Sequence, residues 1–395
     1  MRAHPRGLSE VKVVLAPDSF KEAMTAAEAA AAMARGVRAV VPDAEIVEVP
    51  MSDGGEGFTD AVAAALGAQV RGVDTIDALG RPVTGRLAMS GGTAVFEMAS
   101  AAGLELVARH ARDVLNSDTR GVGRMIRTVL DAGADHLLLG VGGSATNDGG
   151  AGMLAELGVR FLDHEGRVIG TTPRALGALA AVDDSGLDPR LDGLRIEVAC
   201  DVDNPLVGEH GASAVFGPQK GAGSQDVDYL DAMLSRWADV SGHAELAEVS
   251  GAGAAGGLGF ALIAFLGARL EPGVDLVSRT VGLAEAVCGA DLVLTGEGSV
   301  DAQTLAGKTP AGVAEVAKRH GVPTVVVAGR VRSDAEVLLT TGCVALVSNS
   351  QGETASLTDM LCAAPGNTER AAATVMRLWT HQSGPAGPAG SAGPA

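Results

Sequence analysis

Strand-like apolar runs alternate with helical segments at both ends of the chain, and this alternation limits the fold more than any other feature. Two such runs within the first 50 residues are each followed by a helical pattern. The first helix is expected to begin at Thr25, with Glu28 three positions later in the spacing of a capping box. Repeated strand–helix units predict a parallel sheet with helices on its faces. The same alternation of strand-like runs and helical segments returns after about residue 290.

The middle of the chain differs, because short strand-like segments there are separated by turn signals such as ALGRP and SGG. That pattern predicts an antiparallel meander. We therefore expect an α/β protein whose Rossmann-like parallel-sheet domain is built from residues 11–67 and 285–382. A second, mixed α/β domain, residues 68–284, is expected to be inserted between them. Residues 1–10 and the Gly-, Pro- and Ala-rich residues 383–395 are expected to be flexible ends.

The charge balance excludes several classes of partner. The chain of 395 residues has 48 acidic and 30 basic side chains, a net charge of −18. Such a charge repels nucleic acids and anionic membranes, so neither is an expected partner. The four cysteines have no CxxC spacing, and the apolar runs are too short to span a bilayer. We therefore expect a cytoplasmic protein without disulfides. The sequence leaves open whether the protein forms a homo-oligomer.

Polar residues gather where the first two predicted strands end. Asp18, Ser19 and Lys21 offer a carboxylate, a hydroxyl and a cation after the first strand, although a helix cap with a solvated lysine would look the same. The SDGGEG loop after the second strand contributes two carboxylates, which could hold Mg²⁺ or a substrate hydroxyl, and a glycine pair, which could cradle an anion. A tight turn before a helix is the alternative. The candidates in this second loop are Asp53, Gly54, Gly55 and Glu56.

A glycine-rich loop follows the strand-like HLLLG segment. Its candidate ligand groups are Gly142, Gly143, Ser144, Asn147 and Asp148. The loop satisfies G-x-G-x-x-A, but the residues that follow would interrupt the helix that a dinucleotide site requires. A phosphate or substrate loop is therefore the stronger interpretation. A literal G-x-G-x-x-G at 251–256 lacks a preceding strand and is not interpreted as an NAD site, although it could line the site.

Further candidates lie after the predicted strand that ends near residue 199. Asp201, Asp203 and Asn204 provide ligands suited to Mg²⁺ or to a polyhydroxy acid, with an Asx-turn as the alternative. Lys220, in a turn-rich loop, could meet an anion or could simply be solvated.

The last group of candidates follows the strand-like segment near residue 295. Lys308 precedes a predicted helix, where a phosphate would be favoured, although the GKT sequence lacks the first glycine of a P-loop. A carboxylate of the preceding loop could hold the accompanying metal. The candidates in that loop are Gly296, Glu297, Gly298, Ser299 and Asp301.

Taken together, these residues are the components of phosphoryl transfer to a small hydroxylated acid. Positioning and charge neutralisation supply most of the catalysis in that reaction. The chain shows no Ser-His-Asp or Cys-His arrangement. Residue chemistry alone indicates a small-molecule kinase or another phosphate-binding enzyme.

Seven ordered motifs resemble those of the bacterial type I glycerate kinase family. They are APDSFKEAMTAAEAA, VPMSDGGEG, GVGGSATNDGGAGML, VACDVDNPLVG, GASAVFGPQKGA, GAGAAGGLGF and TGEGSVDAQTLAGKTP. The resemblance implies ATP- and Mg²⁺-dependent phosphorylation of D-glycerate, usually at the 2-hydroxyl, in organic acid metabolism. It also implies a Rossmann-like domain interrupted by a second α/β domain.

Within that hypothesis, Lys21 and Lys308 would neutralise the transferring phosphate or the glycerate carboxylate. Asp53 and Asp201, with Lys308, are the expected catalytic residues, and a carboxylate would accept the hydroxyl proton. Glu56, Asp203, Glu297 and Asp301 are the expected metal ligands, and the remaining candidates would hold the acid or phosphates. A glycerate 3-kinase, an NAD(P)-dependent hydroxypyruvate reductase and a non-catalytic hydroxy-acid sensor remain as alternatives.

Overall fold

A computed structural model describes residues 11–305, 307–350 and 356–383. Its contacts divide the chain into two compact units. Unit 1 combines the residues up to Pro50 with those from Gly282 onward, and unit 2 is Met51–Val281. The segments predicted to be flexible ends, 1–10 and 383–395, lie outside the described residues except for Ser383.

The strands are short and are numbered in chain order. They are β1 (Lys12–Leu15), β2 (Glu45–Glu48), β3 (Val70–Ile76), β4 (Pro82–Ser90), β5 (Thr93–Glu97), β6 (His136–Gly140), β7 (Arg160–Leu162), β8 (Ala181–Asp183), β9 (Arg195–Ala199), β10 (Arg269–Glu271), β11 (Leu292–Thr295), β12 (Ser299–Val300), β13 (Thr324–Ala328), β14 (Arg330–Val331) and β15 (Cys343–Ser348).

The α-helices are numbered in the same way. They are α1 (Ala26–Arg38), α2 (Phe58–Ala65), α3 (Ala99–Ala102), α4 (Arg120–Asp131), α5 (Ala151–Glu156), α6 (Pro173–Leu176), α7 (Ala212–Phe216), α8 (Ser224–Ser241), α9 (Ala254–Leu266), α10 (Gly273–Thr280), α11 (Leu283–Val287), α12 (Thr309–Arg319) and α13 (Leu357–Ser383). Short 3₁₀ helices include Pro218–Lys220, Ala302–Leu305 and Ser333–Thr340.

Unit 1 is built on a five-stranded parallel sheet in the order β15-β13-β11-β1-β2. The predicted capping box at the start of α1 is confirmed, because Thr25 N–H donates to the Glu28 carboxylate at 2.8 Å and Glu28 N–H donates to Thr25 Oγ1 at 3.2 Å. Helices α1 and α13 pack against each other, and their apolar faces cover β1, β11 and β13.

The order of the strands in unit 1 produces a topological switch point. From β1 the chain continues to β2 on one side of the sheet, whereas β11 is followed by β13 and β15 on the other. In open parallel sheets, ligands bind outside the carboxyl ends of the strands where the order reverses. The loops that follow β1 and β11 therefore form the expected ligand edge of unit 1.

Unit 2 contains a six-stranded mixed sheet in the order β10-β9-β6-β5-β4-β3. Strands β3, β4 and β5 pair antiparallel, which confirms the predicted meander. Strands β5, β6, β9 and β10 are parallel, so their carboxyl ends meet at one edge. The core includes the buried Trp237, whose indole packs against Phe161 and Phe260 and donates to Gly149 O at 3.0 Å.

The α/β fold class expected from the sequence is confirmed, but two segments differ from the expected domain bounds. Residues 51–67 were expected with the first domain and lie in unit 2, whereas residues 282–284 were expected in the inserted domain and lie in unit 1. Helix α2 packs on β4 and β5, and Phe58 is fully buried there. Thr59 N–H donates to the Glu97 carboxylate of β5 at 2.8 Å. The strand–helix pattern is local and cannot reveal which sheet the helix will cover.

No helix in the described ranges is long and apolar enough to cross a bilayer.

Candidate functional site

A cavity of about 190 Å³, open to solvent, lies in unit 2 at the carboxyl ends of β6 and β9. The loop after β6 and the loop after β9 form two of its walls, and the SDGGEG loop forms a third. The predicted site residues that line this cavity are Asp53, Gly54, Gly55, Gly142, Gly143, Ser144, Asp201 and Lys220.

Glycines allow the three loops to approach one another closely. A Cβ atom on Gly54 would lie 2.6 Å from the Cβ atom of Ala199, and Gly54 also has a positive φ of 90°. A Cβ atom on Gly142 would lie 3.2 Å from the Cα atom of Gly55. A larger side chain at Gly54 would push the loop away from β9 and change the spacing between Asp53 and Asp201.

Asp201 is a carboxylate of the cavity whose pKa differs from its ordinary value. Its pKa is raised to about 7. Loss of solvation around the carboxylate is the largest cause of the raised pKa, although the residue as a whole is exposed. The negative charges of Asp53 and Asp275 raise the pKa further. The N–H of Gly273, at the start of α10, donates to Asp201 Oδ1 at 2.8 Å and opposes the rise. A carboxylate with a pKa near 7 is suited to accept and return a proton at neutral pH.

Lys220 is buried, so the alternative of a solvated loop lysine is wrong. Only 1% of the residue is exposed, and Nζ donates to the main-chain oxygen of Thr146 at 2.7 Å. Burial lowers the pKa of Lys220 to about 7, and the negative charge of Asp148 partly opposes this effect. The lysine contributes to the cavity wall together with Gln219 and Phe216.

Asn147 and Asp148 were expected to contact a ligand, but both are fully buried and lie outside the cavity lining. Asp148 accepts hydrogen bonds from Thr119 N–H, Thr119 Oγ1, Gly150 N–H and Gly152 N–H, at 2.7–3.2 Å. Burial and the nearby Asp118 raise its pKa to about 6. Asn147 Nδ2 donates to Ser213 Oγ at 3.0 Å. The Asp148 carboxylate and Asn147 Nδ2 bond to other protein groups, so these two side chains support the loop from behind, whereas the buried Asn147 Oδ1 has no hydrogen-bond partner among the described residues.

Three further candidates in unit 2 also lie outside the cavity lining. Glu56 and Asp203 are exposed. Asn204 donates through Nδ2 to His210 O at 2.8 Å, which ties its own loop together. The structure therefore does not bring Glu56, Asp203 and Asn204 to the cavity wall that Asp53 and Asp201 share.

In unit 1, the loops after β1 and β11 meet at the switch point. Asp18 N–H donates to Gly296 O at 2.8 Å, and a Cβ atom on Gly298 would lie 3.5 Å from Lys21 N. The Asp18 carboxylate is buried and accepts from Ser19 N–H and from Thr309 Oγ1, each at 2.6 Å. The bond to Thr309 anchors the start of α12 beside these loops.

The remaining candidates of unit 1 surround this helix start. Lys308 is the N-cap residue of α12, and its Nζ lies 3.9 Å from Glu297 Oε2. Glu297 Oε1 accepts from Thr304 Oγ1 at 3.0 Å, and Asp301 Oδ1 accepts from Gln303 N–H at 3.0 Å. Ser299 and Lys21 are exposed. Lysines beside a helix N-terminus and a carboxylate form a suitable environment for a phosphate with a hydrated cation.

Within the described ranges, no group of three or more His, Cys, Asp and Glu residues is arranged to hold a metal ion. Mg²⁺, however, usually retains several waters and is bound through one or two carboxylates together with substrate phosphates. Glu297, whose Oε2 lies 3.9 Å from Lys308 Nζ, and Asp301 of the same loop have hard oxygen atoms of that kind. Their chemistry is compatible with a hydrated magnesium ion.

Two residues that position the candidate side chains were missed in the sequence. Gly273 donates to Asp201 from 72 positions away, and Thr309 donates to Asp18 from 291 positions away. Nothing near Gly273 in the sequence indicates this role, whereas Thr309 belongs to the GKT sequence already noted. Ala254 and Ala255, from the 251–256 glycine motif, line the cavity. Ala255 has a φ of 52°, and Gly256 and Gly257 are also left-handed.

Comparison with known proteins decides the family. The family model described as the glycerate kinase family matches residues 13–380. The chain belongs to the glycerate kinase family. The membership predicted from the seven motifs is therefore confirmed.

Several curated relatives of this glycerate kinase family member are named glycerate kinases. A glycerate kinase of Bacillus subtilis (strain 168) is 48% identical over 86% of this chain and 90% of its own length. A glycerate 2-kinase of Escherichia coli (strain K12) is 46% identical over 83% of this chain and 87% of its own. These relatives are kinases, so the predicted enzyme class is confirmed.

A solved structure shares the fold of this family member. The crystal structure of a candidate glycerate kinase 2 from Salmonella typhimurium LT2 superposes with a TM-score of 0.85 at 42% identity. The match covers 94% of this chain and 99% of the other. Both units of the α/β fold therefore have a counterpart in a protein of the same family.

Proposed function

We propose that this protein transfers the γ-phosphoryl group of ATP to the 2-hydroxyl of D-glycerate and forms 2-phosphoglycerate, in the metabolism of glycerate and related organic acids. The observation that carries the proposal is the cavity of unit 2, where Asp201 is beside Asp53 and its pKa is raised to about 7. The name of the E. coli relative, glycerate 2-kinase, supports the choice of hydroxyl.

The cavity of unit 2 suits a small hydroxylated acid. Its polar groups are two carboxylates, the Ser144 hydroxyl and the Lys220 amine, set among glycines and small apolar residues. In the proposed reaction, Asp201 accepts the proton of the attacking hydroxyl, since its raised pKa allows it to bind that proton at neutral pH. Burial is the main cause of the high pKa of Asp201, and the negative charge of Asp53 adds to it. The Gly273 N–H holds the Asp201 carboxylate in place.

The ligand edge of unit 1 suits the phosphates of a nucleotide. Lys308 lies at the N-terminus of α12, where the helix dipole favours negative charge, and Lys21 follows β1 in the neighbouring loop. Ser19, Ser299 and the N–H groups of Gly296 and Gly298 belong to the same two loops and can donate to phosphate oxygens. Glu297 or Asp301 would hold Mg²⁺. When bound, ATP supplies the phosphoryl group and Mg²⁺ neutralises part of its charge.

The proposal is tested by measuring ADP release with D-glycerate, with glycerol and with no acceptor. We expect release with D-glycerate that exceeds the other two rates by orders of magnitude. A matched pair of variants then tests the base. Asp201→Asn should reduce kcat by roughly 10²- to 10⁴-fold. Asp203→Asn, an exposed neighbour outside the cavity lining, should retain the wild-type rate. Equal losses in both variants would remove Asp201 from the role of base.

A further inference from the structure

Lys220 places a buried ammonium group in the cavity wall without a carboxylate in contact with it. Only 1% of the residue is exposed. In the part of the chain that the structure describes, the hydrogen-bond acceptor of Nζ is the main-chain oxygen of Thr146, at 2.7 Å. An ammonium group has three donors, so two remain for other partners. No carboxylate oxygen of the described residues lies within the 4.0 Å ion-pair distance of Nζ.

Asp148 is the carboxylate whose charge reaches Lys220, but it does not serve as a contact partner. Its two oxygens already accept four hydrogen bonds from Thr119, Gly150 and Gly152. Burying a charge is costly unless that charge is paired and hydrogen-bonded. When Lys220 carries its proton, the positive charge is therefore incompletely compensated in the folded chain.

The position of Lys220 indicates what would complete this compensation. The lysine lines the same cavity as Asp201 and Ser144, and Phe216 and Ala254 also contribute to the cavity wall. An anion bound in this low-dielectric corner would form a charge-assisted hydrogen bond, which is stronger than a neutral one. A small hydroxy acid carries one such anionic group, its carboxylate.

We infer that the Lys220 ammonium group binds the carboxylate of the hydroxy-acid substrate, and that this bound carboxylate supplies the counter-charge that the folded chain lacks. Lys220 is then the residue that selects an acid over a neutral polyol of similar size. The inference rests on the proposed function, because it names the group of the substrate that the unit 2 cavity holds.

A consequence is that substrate binding takes up a proton. In the free protein, burial lowers the pKa of Lys220 to about 7, so the amine is largely neutral at pH 8. A carboxylate in contact favours the charged form and raises that pKa. Affinity for the acid should therefore fall as pH rises above 7.

The other ionisable groups around Lys220 do not reverse that sign. The charged or titratable groups around it are Asp148, whose charge acts on Lys220, Asp53 and Asp201, which line the same cavity, and Arg112, which donates to Gln219 O at 2.9 Å. The three carboxylates are present with and without substrate. Protonation of Asp201 on binding would add to the uptake, so a variant is needed to assign the proton to Lys220.

Isothermal titration calorimetry of the full chain with D-glycerate at pH 8, in two buffers of different ionisation enthalpy, measures this proton directly. We expect uptake of close to one proton by the wild type and weak or undetectable binding of glycerol. Lys220→Met keeps the length of the side chain and should weaken D-glycerate binding by roughly 10- to 100-fold. It should also remove most of the proton uptake. Lys318→Met, an exposed lysine on α12, is the matched control and should bind like the wild type.

Different results would contradict the inference about Lys220 and the proposed kinase function. If Lys220→Met binds D-glycerate with unchanged affinity, or if the wild type binds it without proton uptake, the inference is wrong even when the protein is an active glycerate kinase. If the wild type binds D-glycerate with Lys220-dependent proton uptake but does not consume ATP, the proposed kinase function fails and the inference stands. If Lys220→Met does not fold, binding of D-glycerate by the wild type without proton uptake would still contradict the inference. Asp201→Asn, which removes the other group of the cavity that could take up the proton, would then assign any remaining uptake to Lys220.

Discussion

Lys220→Met should make the ligand-free protein more stable while it weakens substrate binding. The lysine is buried, and its pKa is lowered from an ordinary value of 10.5 to about 7. The unfolded chain exposes the same side chain to water and binds its proton up to the ordinary pKa. The folded state therefore either desolvates a charge or gives up a proton, and both are unfavourable at neutral pH.

The size of the effect follows from the two pKa values. Each tenfold change in a protonation equilibrium is worth about 1.4 kcal/mol, so the buried amine destabilises the folded state by roughly 4 kcal/mol at pH 7. Methionine removes this term, but it leaves the Thr146 oxygen without the hydrogen bond from Nζ, which costs about 1–3 kcal/mol. The net expectation is a stabilisation of roughly 1–3 kcal/mol at pH 7.

The pH dependence separates this cause from a general improvement in packing. Between pH 7 and 10.5 the unfolded state holds the Lys220 proton and the folded state does not, so wild-type stability should rise with pH. The advantage of Lys220→Met should therefore be largest at or below pH 7 and should shrink towards pH 10. Thermal unfolding of both proteins, without ligand, at pH 6.5, 8 and 9 measures this.

We expect the variant to unfold about 1–4 °C higher than the wild type at pH 7. Lys318→Met, exposed on α12, should change the midpoint by much less at every pH. A Lys220→Met protein that is less stable than the wild type at pH 7 would refute the reasoning. A stabilisation that does not depend on pH would do the same.

Three other substitutions test the positioning of the two sites. Gly273→Ala would place a Cβ atom 2.0 Å from Asp53 O. The resulting shift of Asp201 should lower kcat by roughly 100-fold in steady-state assays. An unchanged kcat would show that the structure relaxes around the new Cβ atom without moving Asp201. Thr309→Val removes the hydroxyl that donates to Asp18, so KM for ATP should rise about tenfold while D-glycerate binding, measured by calorimetry, is retained. Lys308→Ala should lower turnover by orders of magnitude with an unchanged circular dichroism spectrum, and normal turnover would remove Lys308 from the site.

The elements that could be predicted from the sequence are those set by local patterns. The strand–helix alternation, the antiparallel meander of β3–β5 and the Thr25–Glu28 capping box all depend on residues close together in the chain, and the structure contains them. The loops after β1, β6, β9 and β11 were also identified, because ligand groups at strand ends are visible in the sequence. The family itself was recognisable from seven short motifs in order.

What could not be predicted depends on contacts between distant parts of the chain. Asp148 and Lys220 both looked like ligand groups, but one is enclosed by four donors and the other lines the cavity. The two side chains differ because Thr119 donates to Asp148, whereas Thr146 accepts from Lys220. Only the folded chain brings these residues together. The assignment of 51–67 to unit 2 has the same origin, since a helix pattern does not reveal which sheet it will cover.

The central claim is phosphorylation of D-glycerate at the 2-hydroxyl, and ³¹P NMR of the reaction mixture tests it most directly. Protein, ATP, Mg²⁺ and D-glycerate are mixed, and the phosphorus spectrum is followed as ATP is consumed. The account predicts the resonance of 2-phosphoglycerate, growing in step with ADP and missing when Asp201→Asn replaces the wild type. A 3-phosphoglycerate resonance would retain the kinase but contradict the proposed hydroxyl. A spectrum without any phosphorylated acid would contradict the proposed function itself.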